Sequence, residues 1–336
     1  DAFAPDLNQT LKGAITGSLR IEGPWLDEKG SPTFDRLRGA LTLMDVALLV
    51  ADTPVKIETP AVITIEGPQI KIPNVRVIGE GADLKFGGTL ALDSQAAMNF
   101  SLGGPVSLDR LPTLHEGLVL SGSAEIDAQL TGAFDDPKAQ GRIDFSATVR
   151  RAASALRFIS NGAGRFILAG DQIKLEKFTS DANDGRVEAE GSIKLDRLRP
   201  KEWLYNIKVE NAVIAYQEVS ATINGGLTLA GTPEGQTLAG QITIPQAEYG
   251  PSIDIDNLAL GNGGGISLGG FSGPSVSPAQ LKIPPITLDV RVEARDSLTV
   301  QNDQINTVGS AILTLTGPLN NPDMGGLINV DGGTWR

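Results

Sequence analysis

Side chains that commonly do chemistry are scarce in this sequence. The chain has one histidine, His115, and no cysteine. Multi-histidine metal sites, thiolate ligands and disulfides are therefore excluded. His115 lies in LPTLHEG and reads as a turn or surface residue rather than a catalytic base. Carboxylates stand two apart at Glu188 and Glu190 and at Asp254 and Asp256. Paired acids can run glycoside hydrolysis, but similar alternating charges recur along the whole chain and read as a solvated face. DANDG at 181–185 has the composition of a calcium loop without its spacing or its distant bidentate glutamate. It reads as a hairpin turn. The glycine-rich GNGGGISLGGFSG at 261–273 fails the GxGxxG spacing, and no GxxxxGK[ST] loop is present. No enzyme, cofactor or metal site is expected.

Composition narrows the class further. The 336 residues carry a net charge of −12, which argues against an electrostatic grip on nucleic acid or on anionic membranes. No stretch approaches the roughly 18 uninterrupted apolar residues of a membrane span, and LTLMDVALLV at 41–50 is broken by Asp45. The opening DAFAPDLNQT has no basic n-region and no apolar core, so any signal or anchor is expected outside this segment. The ending GGTWR reads as a cut inside a longer chain.

The elements that would position any site are strands. SLRI at 18–21, SAEIDAQL at 123–130, GSIKLD at 191–196, SIDIDNLAL at 252–260 and ITLDVRVEA at 286–294 all alternate apolar with polar residues. That period of two gives each strand one apolar and one polar face. Forty glycines and twenty prolines punctuate these short runs. The best helical candidates are 107–117 and 150–158, both short. One phrase recurs as TGAFDDPKAQG, AGTPEGQTLAG and TGPLNNPDMGG, with its glycines at 132 and 141, 231 and 240, and 317 and 326. Residues 70–93 also align without gaps on 173–196, an offset of 103 (173 minus 70). Such self-similarity marks a repeat architecture. The expectation is one continuous repetitive segment over 1–336 with units at about 17–131, 132–230 and 231–316, and a fourth beginning at 317–336.

Repeated one-faced strands without helices leave their apolar side to be covered. A sandwich, a solenoid with a side-chain core, or a trough holding an apolar ligand would each do so. Aromatics are only 5% of the chain, and an aliphatic lining suits acyl chains.

The stretch Ile286 to Gly333 resembles the C-terminal region of the TamB family of translocation and assembly module proteins, relatives of AsmA-like proteins. The resemblance rests on a strand ending in A-R-D-S-L-x-V, then G-x-x-x-L-x-L-x-G, a loop with N-P, and G-x-I-x-V-x-x-G. Weaker repeats extend it back to about Gly17. It implies an all-β fold, an elongated, strongly curved β-taco with an apolar concave groove and a polar convex face. It also implies a place in the periplasm of a Gram-negative bacterium, with inner-membrane anchoring through an N-terminal helix outside this segment. Two roles are attached to the family: conducting phospholipid acyl chains between the inner and outer membranes, and assisting outer-membrane β-barrel and autotransporter assembly with a TamA- or BamA-like barrel.

On that reading some 20 strands would span roughly 100 Å, and the inward residues are those that alternate within strands. In the first third these are Leu19 and Ile21, Leu41 and Leu43, Ile70 and Ile72, Leu90 and Leu92, and Ile126 and Leu130. The middle contributes Ile143 and Phe145, Ile173 and Leu175, Ile193 and Leu195, and Leu227 and Leu229. Ile242 and Ile244, Val290 and Val292, Leu313 and Leu315, and Ile328 and Val330 complete the set.

Overall fold

A computed structural model describes residues 11–24, 26, 33–50, 53–92, 97–110, 118–151, 157–216, 219–249, 284–301 and 305–335. The alternating pattern becomes strand through nearly all of them. The first strands are β1 (Leu11–Glu22), β2 (Arg38–Val50), β3 (Thr53–Ile57), β4 (Ala61–Glu66), β5 (Gln69–Gly79) and β6 (Ala82–Ala91). They are followed by β7 (Ala97–Ser107), β8 (Leu118–Ala133), β9 (Asp136–Arg151), β10 (Arg157–Gly170), β11 (Gln172–Ala182) and β12 (Gly185–Asp196). The last six are β13 (Arg199–Tyr216), β14 (Val219–Thr232), β15 (Gly235–Tyr249), β16 (Ile286–Gln301), β17 (Ile305–Pro318) and β18 (Asp323–Trp335).

All 18 strands form one long, strongly curved sheet. Neighbours in sequence are neighbours in the sheet, except that β3 and β4 share one position between β2 and β5. Pairing is antiparallel throughout save at β15 and β16, which run parallel. Seventeen strand positions at ~4.8 Å give a sheet of about 80 Å, shorter than the length expected from sequence. The reason is strand length: β13 alone consumes 18 residues, so the same chain makes fewer strands.

Of the helical candidates, Leu108–Arg110 forms a single 3-10 turn, while Arg150, Arg151, Arg157 and Phe158 belong to strands. Ser107 ends β7, and residues 111–117 with His115, residues 152–156, the strand expected at 252–260 and the glycine-rich 261–273 lie outside the described residues.

Curvature has a local cause. The ladder slips where one strand carries extra residues, and at three such bulges the extra residue is left-handed: Asn161 (φ 51°), Asn211 (φ 51°) and Asp296 (φ 49°). Asn and Asp tolerate that conformation, and a bulge bends and twists its strand. The freed amide of Asn211 donates to Asn224 Oδ1, and that of Asp296 donates to Ser310 Oγ. Small residues line these bends, where Ala182, Ala212, Ala294 and Ala311 are the buried apolar groups, and no large side chain is fully enclosed among the described residues.

The repeated phrase is resolved at the same level. Its second glycine lies inside the following strand. Gly141 and Gly240 take φ +131° and +141°, and a Cβ there would sit 2.1 and 2.2 Å from the carbonyl oxygen of the preceding strand. The hairpins at offset 103 share their register as well. Ile70 faces Leu90 as Ile173 faces Ile193, the slip falls between Ile72 and Val75 as between Leu175 and Phe178, and Val77 faces Leu84 as Ser180 faces Val187.

Candidate functional site

Directly opposite residues of neighbouring strands share a face of the sheet, so the ladder itself sorts the side chains. Leu19 lies opposite Leu41, and Leu41 opposite Ile63. Ile65 leads to Ile70, Leu90 and Met98, and Phe100 faces Leu130. In the middle of the sheet one row runs Ile126, Ile143, Phe166, Leu175, Gly191, Tyr205, Leu229, Leu238, Leu288. A neighbouring row passes from Ile173 through Ile193 to Trp203. Toward the C-terminal end Leu227, Gly240, Val290 and Leu315 align, Val292 pairs with Leu313, Ala311 with Ile328 and Gly309 with Val330. Ile21, Leu43, Ile72, Phe145, Leu195 and Ile242 follow by alternation within their strands, whereas Leu92 stands one residue past β6 and Ile244 lies in the β15 slip between Thr243 and Ala247, where alternation does not assign a face. The other inward candidates named from sequence occupy one face, called here the inner face.

Apart from Phe145, sequence reasoning passed over the aromatic members of that face. Phe145 stacks on Phe166 at 5.2 Å and on Phe178 at 6.0 Å, and Phe86 on Phe100 at 5.4 Å. The run RFILAG in β10 hides its parity behind four consecutive apolar residues. Trp203 Nε1 donates to Gln236 Oε1 (3.1 Å), and Gln236 Nε2 donates to the Pro284 carbonyl (3.0 Å). Gly231 lies between them in the ladder, and a Cβ there would come within 2.8 Å of Trp203 Nε1. This bridge satisfies the buried Gln236 at the margin of the inner face.

Most inner-face side chains are half-buried, although no second layer covers the sheet among the described residues. Those on the two outermost strands are open to water: Leu19 is 61% exposed and Val330 71%.

The other face carries charge. Arg76 pairs with Asp83, Arg165 with Asp144, and Lys194 with Glu202. The hydrogen bond from Arg76 holds the Asp83 carboxyl below its usual range, and that from Lys194 does the same for Glu202. Glu188 pairs with Arg186 on this face, and Glu190 shares it. In DANDG, Asn183 and Asp184 take φ 44° and 56° and close the β11–β12 turn. Among the described residues no cluster of acids or histidine has the spacing of a metal site, and no helix is long and apolar enough to cross a membrane.

What this arrangement offers chemically is an apolar strip running from β1 to β18, uncovered among the described residues, with ion pairs behind it. A contiguous apolar surface of that extent marks an interaction site. The family model of the TamB C-terminal domain matches residues 176–336. No curated protein and no solved structure matches the chain.

Proposed function

We propose that this chain, a member of the TamB family through residues 176–336, is a segment of a periplasmic bridge whose apolar sheet face conducts phospholipid acyl chains between the inner and outer membranes. The observation that carries the reading is the inner face itself, which runs across the 18 described strands and, away from the two outermost, is half-buried without a covering layer among the described residues. On this reading the inner face is the groove and the charged face the convex one. Inward candidates such as Leu130, Leu195 and Leu229 line it.

The energetics suit passage. Burial is worth about 0.8 kcal/mol per CH₂, and a lipid leaving a bilayer is already shielded from water. A groove that matches the bilayer makes transfer nearly isoenergetic, with headgroups left in water along the open side. Such a path needs no catalytic group, and direction comes from elsewhere in the system. In the full-length protein an N-terminal helix anchors the bridge in the inner membrane, and a TamA-type barrel meets it at the outer one.

Charge in the groove is the test. Leu195→Asp or Leu229→Asp buries a carboxylate in the lipid path and should abolish phospholipid transfer while leaving the purified protein folded. Transfer that survives several such single charges would rule out a continuous path.

A second reading, a scaffold for outer-membrane barrel and autotransporter assembly, draws support from the sheet edges. An unpaired edge is a template for strand addition. β18 carries apolar groups on both faces, with Leu327 on one and Ile328 and Val330 on the other, all strongly exposed. Client crosslinks from β1 or β18 with a silent inner face would favour the scaffold over the conduit.

A further inference from the structure

We infer that Ser180 is a polar station on the inner face, where its hydroxyl donates a hydrogen bond to an ester carbonyl of a bound glycerolipid. The inference rests on the lipid reading above and adds a chemical preference to it.

Ser180 is 3% exposed, and its Oγ has no hydrogen-bond partner. The other buried polar residues among those described are bonded: Gln236 to Trp203 and Pro284, Glu293 to Arg291, and Ser297 Oγ to the Ile244 carbonyl. A buried hydroxyl without a partner is costly, so such a group points to a ligand that completes it. Its surroundings give the ligand's character. Ser180 faces Val187 across the ladder and lies between Phe178 and Ala182 on the apolar side of β11.

The fold itself does not require the hydroxyl. At offset 103 the corresponding residue is Val77, opposite Leu84 in the same register. A valine therefore fills this place in the sister hairpin.

Position along the strand fits a lipid. Ser180 stands four residues before the exposed Asp184 of the β11–β12 turn, at the sheet margin where a headgroup reaches water. From Ser180 back to Ile173 is seven residues, roughly 20 Å of strand, which is the scale of an extended acyl chain. The ester carbonyl, at the junction of headgroup and tail, falls beside the serine.

The test uses the full-length protein and two phosphatidylethanolamines of equal chain length, one diester and one diether, offered together and counted by native mass spectrometry. The wild type should favour the diester by about fivefold, the worth of one net hydrogen bond. Ser180→Val and Ser180→Ala should bind the two equally, with the total number of lipids unchanged and thermal stability equal or higher. Equal binding by the wild type, or a preference that persists in both variants, overturns the inference while the conduit stands. If no protein binds either lipid, the conduit reading fails, and the inference with it.

Discussion

A side chain at Gly141 or Gly240 has nowhere to go. Each glycine combines a positive φ with a Cβ position about 2 Å from a neighbouring carbonyl oxygen, so Gly141→Val or Gly240→Val adds strain to a clash with backbone that has no room to yield. The expected loss is about 2–4 kcal/mol each, read from chemical denaturation. Gly226 is the control, because a Cβ there meets nothing within 4 Å; Gly226→Ala should change stability by less than about 1 kcal/mol. The period of the glycine phrase was legible in the sequence, and so was the αL turn at Asn183 and Asp184. The close approach of backbones inside the strand was not, because alternation carries parity and no distance. Ser180 was hidden for a related reason: nothing in a sequence distinguishes a serine whose hydroxyl is paired from one whose hydroxyl is not.

At the scale of the element, β16 shows how a strand face is organised by charge. Arg291 and Arg295 both donate to Glu293, which is 7% exposed. The Arg291 hydrogen bond, followed by the other effects of the two guanidiniums, holds the Glu293 carboxyl below its ordinary value. A lowered folded-state value means that this stabilisation is present above the unfolded carboxylate's value and is lost as pH falls through the folded one. Melting temperature should therefore drop as pH is lowered below about 4, and Glu293→Gln should flatten that dependence by removing the titrating group. An identical pH profile in the variant would show that Glu293 contributes nothing. The strands themselves were readable wherever alternation was clean, as in SAEIDAQL of β8 and ITLDVRVEA of β16. Bulges were not, and each of them shifts parity on one side. Phe166 and Phe178 border slips on β10 and β11, which is why the aromatic cluster escaped while Phe145, in a regular stretch of β9, did not.

At the scale of the whole molecule, the absence of a second layer among the described residues separates a trough from a sandwich. A sandwich would enclose large aliphatic side chains; here, among the described residues, half of the buried apolar residues are alanines, four of them at the bends, and no large side chain is fully buried. Order along the sheet follows order along the chain because most connections are hairpins, and this much was implied by short strands joined by turns. The parallel seam between β15 and β16 was not implied, since strand direction leaves no mark on a period-two pattern. The central claim concerns which face holds lipid, and adjacent residues in one strand report on opposite faces. A photo-reactive amino acid placed at Leu229 or Leu130 on the inner face, and at Thr228 or Gln129 on the outer one, can be activated in cells expressing the full-length protein and its adducts identified by mass spectrometry. The account predicts phospholipid adducts at Leu229 and Leu130 and none at Thr228 and Gln129; equal labelling of both faces, or an inner face that captures only protein, would contradict it.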